Sequence, residues 1–267
     1  MLRSCGHELV EVGKQGGIAT VRLRGGRKDE GDVFEWGTRV CEHRINPFMV
    51  QALNEALDAA LCDPECVAVV VYGEGRFFCN GMDLNWIGKN QDLADKLQED
   101  TEKLLARILC FEVPTIAAIN GHFCAAGGML GLAFDYRVMN SQNGLFFVPA
   151  VDLGLVYSPG MTCLMKAKTP TGMHNEMIVM GKRYSAKDLL EKAVINQTVP
   201  YSDVFATSLQ YARQLTSGGR FRGNKYRDTM KRIKINTYSD TYSALCNSSQ
   251  GMGFKGGEWD AHGKSKL

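Results

Sequence analysis

Five residues, Thr115-Ile116-Ala117-Ala118-Ile119, run straight into Asn120-Gly121, and Ala125-Ala126-Gly127-Gly128 then lead into Met129, Leu130, Leu132, Ala133 and Phe134. A short, continuous apolar run of this kind reads as a strand buried on both faces. The small residues that follow allow a tight turn and a close backbone approach, and the apolar positions after them continue as a helix. A strand covered on both sides, feeding a helix through a tight turn, restricts the chain to an α/β arrangement. Unpaired N–H groups at such a helix start attract negative charge, including charge that develops only in a transition state. The same small residues also let a helix pack closely on a sheet, and both uses fit the local pattern.

Upstream the pattern recurs. Val67 to Tyr72 is a second continuous apolar run, followed by Gly73-Glu74-Gly75-Arg76-Phe77-Phe78-Cys79-Asn80-Gly81-Met82-Asp83-Leu84. This loop is a second place where backbone can face a ligand. It contains neither GxGxxG nor GxxxxGK[ST], so it is not a phosphate loop.

Around these two loops, Glu8 to Val12 and Ile18 to Leu23 alternate as a hairpin. Asn46 caps a helix that begins at Pro47 and ends near Cys62, and Asp92 to Phe111 carries another. Tyr136 to Met139 and Leu145 to Val148 are short strands flanking Asn140 to Asn143. Helices are expected at Met161 to Ala167, His174 to Met180 and Ser185 to Ala193, the last with Ser185 as cap. A strand from Val194 to Val199 stops at Pro200, and Asp203 to Asn247 is helical throughout. The chain is therefore divided into a core over 1–200, a helical region over 201–250 and a tail over 251–267.

With 267 residues, 45% of them hydrophobic, the chain can bury one large core. A net charge of +2 without a basic block suggests neither a nucleic-acid surface nor a polybasic membrane patch. The cluster Arg222, Lys225, Arg227, Lys231, Arg232 and Lys234 is expected on a solvated helix. Nine cysteines scattered through apolar segments indicate reduced, buried thiols. No CxxC pair occurs and the histidines are isolated, so no metal is expected. No apolar run reaches membrane-spanning length, and the N-terminal residues lack a secretory core. The last three residues, Ser265-Lys266-Leu267, match the tripeptide read as a peroxisomal address. Gly251, Gly253, Gly256, Gly257 and Gly263 before them suit a flexible tail that an import receptor can grip. A peroxisome or a related organelle is the expected location.

Taken together, Arg76-Phe77-Phe78-Cys79-Asn80-Gly81-Met82-Asp83-Leu84, Ala118-Ile119-Asn120-Gly121 with Gly127-Gly128 and Asp135, Val151-Asp152-Leu153-Gly154-Leu155, and Gly181-Lys182 with Ala186 and Leu190 resemble the crotonase, or enoyl-CoA hydratase/isomerase, superfamily. The likeness spans nearly the whole chain, with the motifs in order, and is nearest to peroxisomal Δ3-Δ2-enoyl-CoA isomerases of plant type. It implies a β-β-α spiral core, a C-terminal helical region that assembles a homotrimer or a dimer of trimers, and an acyl-CoA substrate of fatty-acid β-oxidation. Coenzyme A enters as part of the substrate, with no separate cofactor. The resemblance places the thioester oxygen between the backbone N–H groups of Met82 and Ala126, an oxyanion hole for an enolate. It also assigns coenzyme A contacts to Phe78, Cys79, Asn80, Gly81, Asp83, Leu84 and Gly127.

Hydratases of the superfamily use two glutamates, and the matching positions here are Met129 and Ala150. Loss of the first is shared with the isomerases, because moving one proton between C2 and C4 needs a single base. The second loss leaves Asp152, Tyr157 and Ser158 as candidates for proton chemistry. Ser158 stands where other peroxisomal isomerases have their glutamate, and Tyr157 where methylmalonyl-CoA decarboxylase has a tyrosine. The expected activity is that of an enoyl-CoA isomerase. The alternatives are a non-catalytic acyl-CoA binder and an enolate-forming decarboxylase that uses Tyr157. His122 is expected to be structural.

Overall fold

The computed structural model describes residues 9–24, 33–219 and 221–247. Strands β1 (Val10–Gln15) and β2 (Ile18–Leu23) form the expected hairpin, turning at Gly16 with φ of 64°. Helix α1 (Pro47–Cys62) starts where Asn46 accepts the Met49 N–H, as its cap sequence requires. Three β-β-α turns follow. The first comprises β3 (Ala68–Tyr72), β4 (Phe77–Cys79), α2 (Leu84–Lys89) and α3 (Ala94–Leu109). The second comprises β5 (Thr115–Ile119), β6 (His122–Cys124) and α4 (Ala126–Ala133), and the third β7 (Tyr136–Asn140), β8 (Leu145–Phe147) and α5 (Pro159–Lys168). Then come β9 (Tyr184–Ser185), α6 (Ala186–Glu191), β10 (Gln197–Val199), α7 (Val204–Leu215), α8 (Asn224–Thr237) and α9 (Ser239–Cys246).

Each turn gives its first strand to one sheet and its second to another. The larger sheet runs β1-β2-β3-β5-β7-β10, parallel from β2 onward, and the smaller runs β4-β6-β8-β9, with only β9 antiparallel. This is the spiral expected from the sequence. The continuous apolar runs have a direct cause: in β5, Ala117 and Ile119 face the main core while Ile116 and Ala118 face Val204, Leu209 and Ala212 of α7. The same split holds in β3, with Val69 and Val71 on one side and Ala68 and Val70 on the other. Helix α7, beyond the boundary expected near Pro200, thus packs on the larger sheet itself.

The corners where the chain passes between sheets are tied by asparagines. Asn120 donates to the carbonyls of Gly75 at 2.9 Å and Phe77 at 3.1 Å, and Asn140 donates to Asn120 O at 2.9 Å. Gly121 cannot be replaced at this corner, since a Cβ there would lie 2.0 Å from Arg76 O.

The basic cluster near the C-terminus is only partly the solvated face expected: Arg222, Lys225 and Arg232 are exposed, but two members are not. Arg227 and Lys234 are each only 7% exposed. Arg227 donates to the carbonyls of Leu61, Asp63 and Cys66 at the end of α1, and Lys234 pairs with Asp135 at 2.6 Å. Lys231 bonds Glu112 at 2.7 Å. Helix periodicity hides this role because the partners are backbone oxygens and side chains far away in sequence. The eight described cysteines are all free thiols. Ser265-Lys266-Leu267 lie outside the described residues.

Candidate active site

The two glycine-containing loops meet where β4 and β6 end. Gly81 has φ of 81°, and a Cβ on it would lie 2.9 Å from the Ala125 Cβ, 3.3 Å from Cys124 O and 3.5 Å from Ala126 N. The loops therefore touch backbone to backbone. Ala125 itself holds φ of 50° and ψ of −131°, a conformation an L-residue rarely adopts. That geometry sends its N–H to Phe147 O on β8 at 3.0 Å and turns its carbonyl to accept Gly128 N at 2.9 Å, which starts α4. The Ala126 N–H is left at the first position of the helix.

The other loop is fixed by Asp83. Its carboxylate is fully buried and accepts from Trp36 Nε1 at 2.7 Å, Thr38 Oγ1 at 2.5 Å, Asn46 Nδ2 at 3.1 Å and Trp86 N at 3.1 Å. Ile45 bridges the loop on one side, donating to Gly81 O and accepting from Asp83 N. Alternation along the backbone turns the Met82 N–H away from that bridge. Among the described residues neither Met82 N–H nor Ala126 N–H has a protein acceptor.

Both residues line one cavity of about 220 Å³, whose wall also includes Arg44, Asn80, Leu84, Cys124, Ala150, Leu155 and Tyr157. The structure thus brings Met82, Ala126, Asn80, Leu84 and Tyr157 together at one cavity. It separates others. Asp152 is exposed on the short turn Val151–Leu153 and does not line the cavity. Ser158 is buried and its hydroxyl accepts the Met161 N–H as the cap of α5, so it serves the helix start. At three of the positions assigned to coenzyme A, Phe78, Cys79 and Asp83, the side chains are fully buried, and Asp83 is saturated by its four donors. Gly127 is pressed on β4, where a Cβ would meet Cys79 O at 2.2 Å. These four positions shape the loops from beneath. Gly81 holds the contact between them.

Among the described residues no carboxylate lines the cavity. Its titratable groups are Arg44, Cys124 and Tyr157. Burial pushes the Cys124 thiol up to about 11, and its Sγ donates to Asn80 Oδ1 at 3.0 Å. Burial likewise raises the Tyr157 phenol, opposed by the Ala150 backbone N–H that faces it. Both groups are therefore protonated at neutral pH and act as donors. Glu42 stands behind the wall, bonded to Arg44 Nε at 2.5 Å and Asn80 Nδ2 at 3.0 Å. Burial raises its carboxyl, but Arg44 and Asn80 outweigh this and hold it below the usual range. Arg44 and Cys124 were not legible as cavity residues. Arg44 arrives through the isolated Ile45–Met82 bridge, for which no local pattern exists.

His122 opens a different space, a polar groove of about 730 Å³ at the opposite ends of β4, β6 and β8, shared with Arg76, Asn120 and Tyr201. Burial, with Arg76 and Arg183 nearby, holds its imidazole below the usual range. It does not reach the cavity of Met82 and Ala126.

Comparison with known proteins agrees with the spiral and its loops. The family described as Enoyl-CoA hydratase/isomerase matches residues 42–244. The chain belongs to the enoyl-CoA hydratase/isomerase family. It is 27% identical over 202 residues to peroxisomal enoyl-CoA delta isomerase 2 of Arabidopsis thaliana, covering 72% of this chain and 84% of that one. To the 2,3-dehydroadipyl-CoA hydratase of Escherichia coli it is 33% identical over 172 residues, covering 64% and 65% of the two chains. An enoyl-CoA hydratase of Mycobacterium ulcerans superposes with a TM-score of 0.76 at 21% identity, covering 92% of this chain and 98% of that one. That likeness establishes the fold. The cavity without a carboxylate among its described lining residues is the feature of this chain that bears most on its chemistry.

Proposed function

We propose that this protein binds an acyl-CoA thioester with its carbonyl oxygen between the N–H groups of Met82 and Ala126, and that it acts there as an enoyl-CoA isomerase, moving a double bond through an enolate. The single observation behind this reading is the pair of N–H groups without protein acceptors at one cavity. Removing a proton beside a thioester places charge on the carbonyl oxygen, and preorganised donors stabilise that charge most where water is excluded. Such donors typically contribute about 3–4 kcal/mol each to the transition state. They need no reorganisation here, because Asp83 on one loop and the strained Ala125 on the other fix them beforehand.

The isomerase reading is supported by the Arabidopsis relatives named as delta isomerases, and the absence of carboxylates from the lining among the described residues disfavours hydration with two acids. Isomerisation needs a base to take the C2 proton, and none of the described lining side chains is one; Tyr157, kept protonated by burial, can serve only the later step, returning a proton to an enolate carbon. The same property favours a second reading, decarboxylation of a malonyl-type thioester, in which the enolate forms by loss of carbon dioxide and needs only a donor. The relatives named peroxisomal support a peroxisomal location. A homotrimer built with the C-terminal helices is the assembly we infer.

Two measurements test this reading. A thioester should bind at least tenfold more tightly than its thioether analogue, which lacks the carbonyl oxygen; equal affinities exclude the two-donor site. A 3-enoyl-CoA should gain the absorbance of the conjugated 2-enoyl thioester on incubation. Binding without conversion identifies a non-catalytic binder, and carbon dioxide from malonyl-CoA, lost in Tyr157→Phe, identifies the decarboxylase.

A further inference from the structure

Among the described residues Arg44 is the one cationic side chain in the cavity lining, and its carboxylate partner, Glu42, lies outside that lining. Its guanidinium is oriented from behind. Nε donates to Glu42 at 2.5 Å, and Glu42 in turn accepts from Asn80 Nδ2 at 3.0 Å. Nη1 lies 3.4 Å from Asn80 O and 3.3 Å from Met82 O. Among the described residues Nη2 has no hydrogen-bond partner. An arginine braced at Nε and Nη1, with Nη2 open at a cavity, presents donors for an anionic oxygen acceptor.

Position narrows the choice of anion. Nη1 sits at the carbonyl of Met82, whose N–H is one of the two proposed thioester donors, so the guanidinium lies only a few bonds' reach from the reacting carbonyl. The phosphates of coenzyme A are held away from that point by the whole pantetheine arm. A carboxylate on the acyl group itself is within reach. The cavity, about 220 Å³, has room for a short acyl group carrying a terminal carboxylate.

Resting on the acyl-CoA reading above, we propose that Arg44 is a specificity residue that pairs with a carboxylate at the far end of a short acyl group, so that the protein takes short dicarboxylic acyl-CoA thioesters. Glu42 and Asn80 are positioning residues for that guanidinium. The fork stabilises the carboxylate as an ion, which favours keeping it through the reaction.

The test compares binding of glutaryl-CoA and valeryl-CoA, which match in chain length and differ in the terminal carboxylate, by titration calorimetry on the full chain. Wild type is expected to prefer glutaryl-CoA by at least tenfold, with the preference falling as salt rises. Arg44→Met should bring the ratio of the two affinities close to one, and Arg44→Lys, which keeps charge but not the fork, should leave an intermediate ratio. Glu42→Gln, which loosens the brace, should lower the ratio without abolishing it. Urea unfolding of each variant checks that the fold is intact, and the lysine variant keeps the test decisive if the methionine variant does not fold. The same pair as pantetheine thioesters, which carry no coenzyme A phosphates, should show the same dependence on Arg44. A dependence that vanishes with those phosphates overturns the proposal and makes Arg44 a phosphate contact. Equal affinity of wild type for both coenzyme A thioesters overturns it while leaving the acyl-CoA reading in place. Failure of every thioester to bind overturns both.

Discussion

The contact between Gly81 and Ala125 is the joint on which the proposed donor pair depends, and a double-mutant cycle across it has a calculable outcome. Gly81→Ala puts a side chain at φ of 81° and a methyl 2.9 Å from the Ala125 Cβ. Both atoms are anchored to backbone, so neither can swing aside. The left-handed conformation costs an L-residue about 1–2 kcal/mol, and forcing an extra methyl into a packed site costs about 1–3 kcal/mol. The expected loss is thus about 2–5 kcal/mol. Ala125→Gly removes both the opposing methyl and the strain of φ 50° and ψ −131°. That strain costs about 1–3 kcal/mol, against about 0.4–1 kcal/mol for the freer unfolded chain, so the single variant should be neutral to more stable by up to about 2.5 kcal/mol. In the Ala125→Gly background, Gly81→Ala should cost only the conformational part. The coupling is therefore about 1–3 kcal/mol, within the range for residues in contact. Urea unfolding of the four proteins measures it. If Gly81→Ala costs the same in both backgrounds, the loops do not bear on one another as described, and the account of how the two N–H groups are positioned is wrong.

Three further outcomes follow from other parts of the molecule. Arg137 is buried and donates to Val194 O at 2.7 Å and Phe134 O at 2.7 Å, with longer contacts to Gly131, Leu132 and Asp135; Arg137→Met should lose about 3–5 kcal/mol by urea unfolding, because several carbonyls lose their donor at once. Burial, reinforced by the charge of Arg137, depresses Lys168 to about 7. Its folded pKa is below its unfolded value, so below about pH 7 its penalty is fully present, and stability should rise as pH climbs from about 7 towards 10. Lys168→Met should raise stability at pH 7 by about 2–3 kcal/mol and flatten that rise in urea midpoints. Asp83→Asn leaves four donors facing an amide, one of whose groups is itself a donor. It should cost about 2–3 kcal/mol in urea unfolding and weaken acyl-CoA binding through the Met82 loop.

What could be read from the sequence was what local pattern encodes. Doubly buried strands announce themselves as unbroken apolar runs, and Asn46-Pro47 and the Ser185/Asp188 capping box carry their own start signals. The two short strands Phe77–Cys79 and His122–Cys124 were harder, since three residues cannot show a period, and their neighbours are glycine-rich. At the site, motif order pointed to Met82 and Ala126, whose N–H groups have no acceptor among the described residues, because loop glycines leave a mark on sequence. Phe78, Cys79 and Asp83 point inward to support the loop, and alternation within so short a strand gave no warning. Arg44 came to the cavity only through an isolated bridge, and the burial of Arg227 and Lys234 depends on carbonyls at the end of α1 and on Asp135, none of which is near in sequence.

The two positions at which relatives by resemblance carry glutamates are not equivalent in this structure, and the difference can be tested. Ala150 lines the cavity, with Tyr157 and Arg44 among the other residues of the wall. Met129 is fully buried in the core within α4 and does not line the cavity. A carboxylate at 150 enters a space of about 220 Å³, where partial burial raises its pKa and makes it a better base. A carboxylate at 129 has no such space, and an unpaired buried charge costs several kcal/mol. Ala150→Glu should therefore fold and increase the conversion of 3-enoyl-CoA to its conjugated isomer, whereas Met129→Glu should unfold at markedly lower urea. An Ala150→Glu protein that binds thioesters as the wild type does, yet gains no isomerase activity, would show that proton transfer is not what the cavity lacks. The chemistry would then have to be sought in reactions that need the donor pair alone.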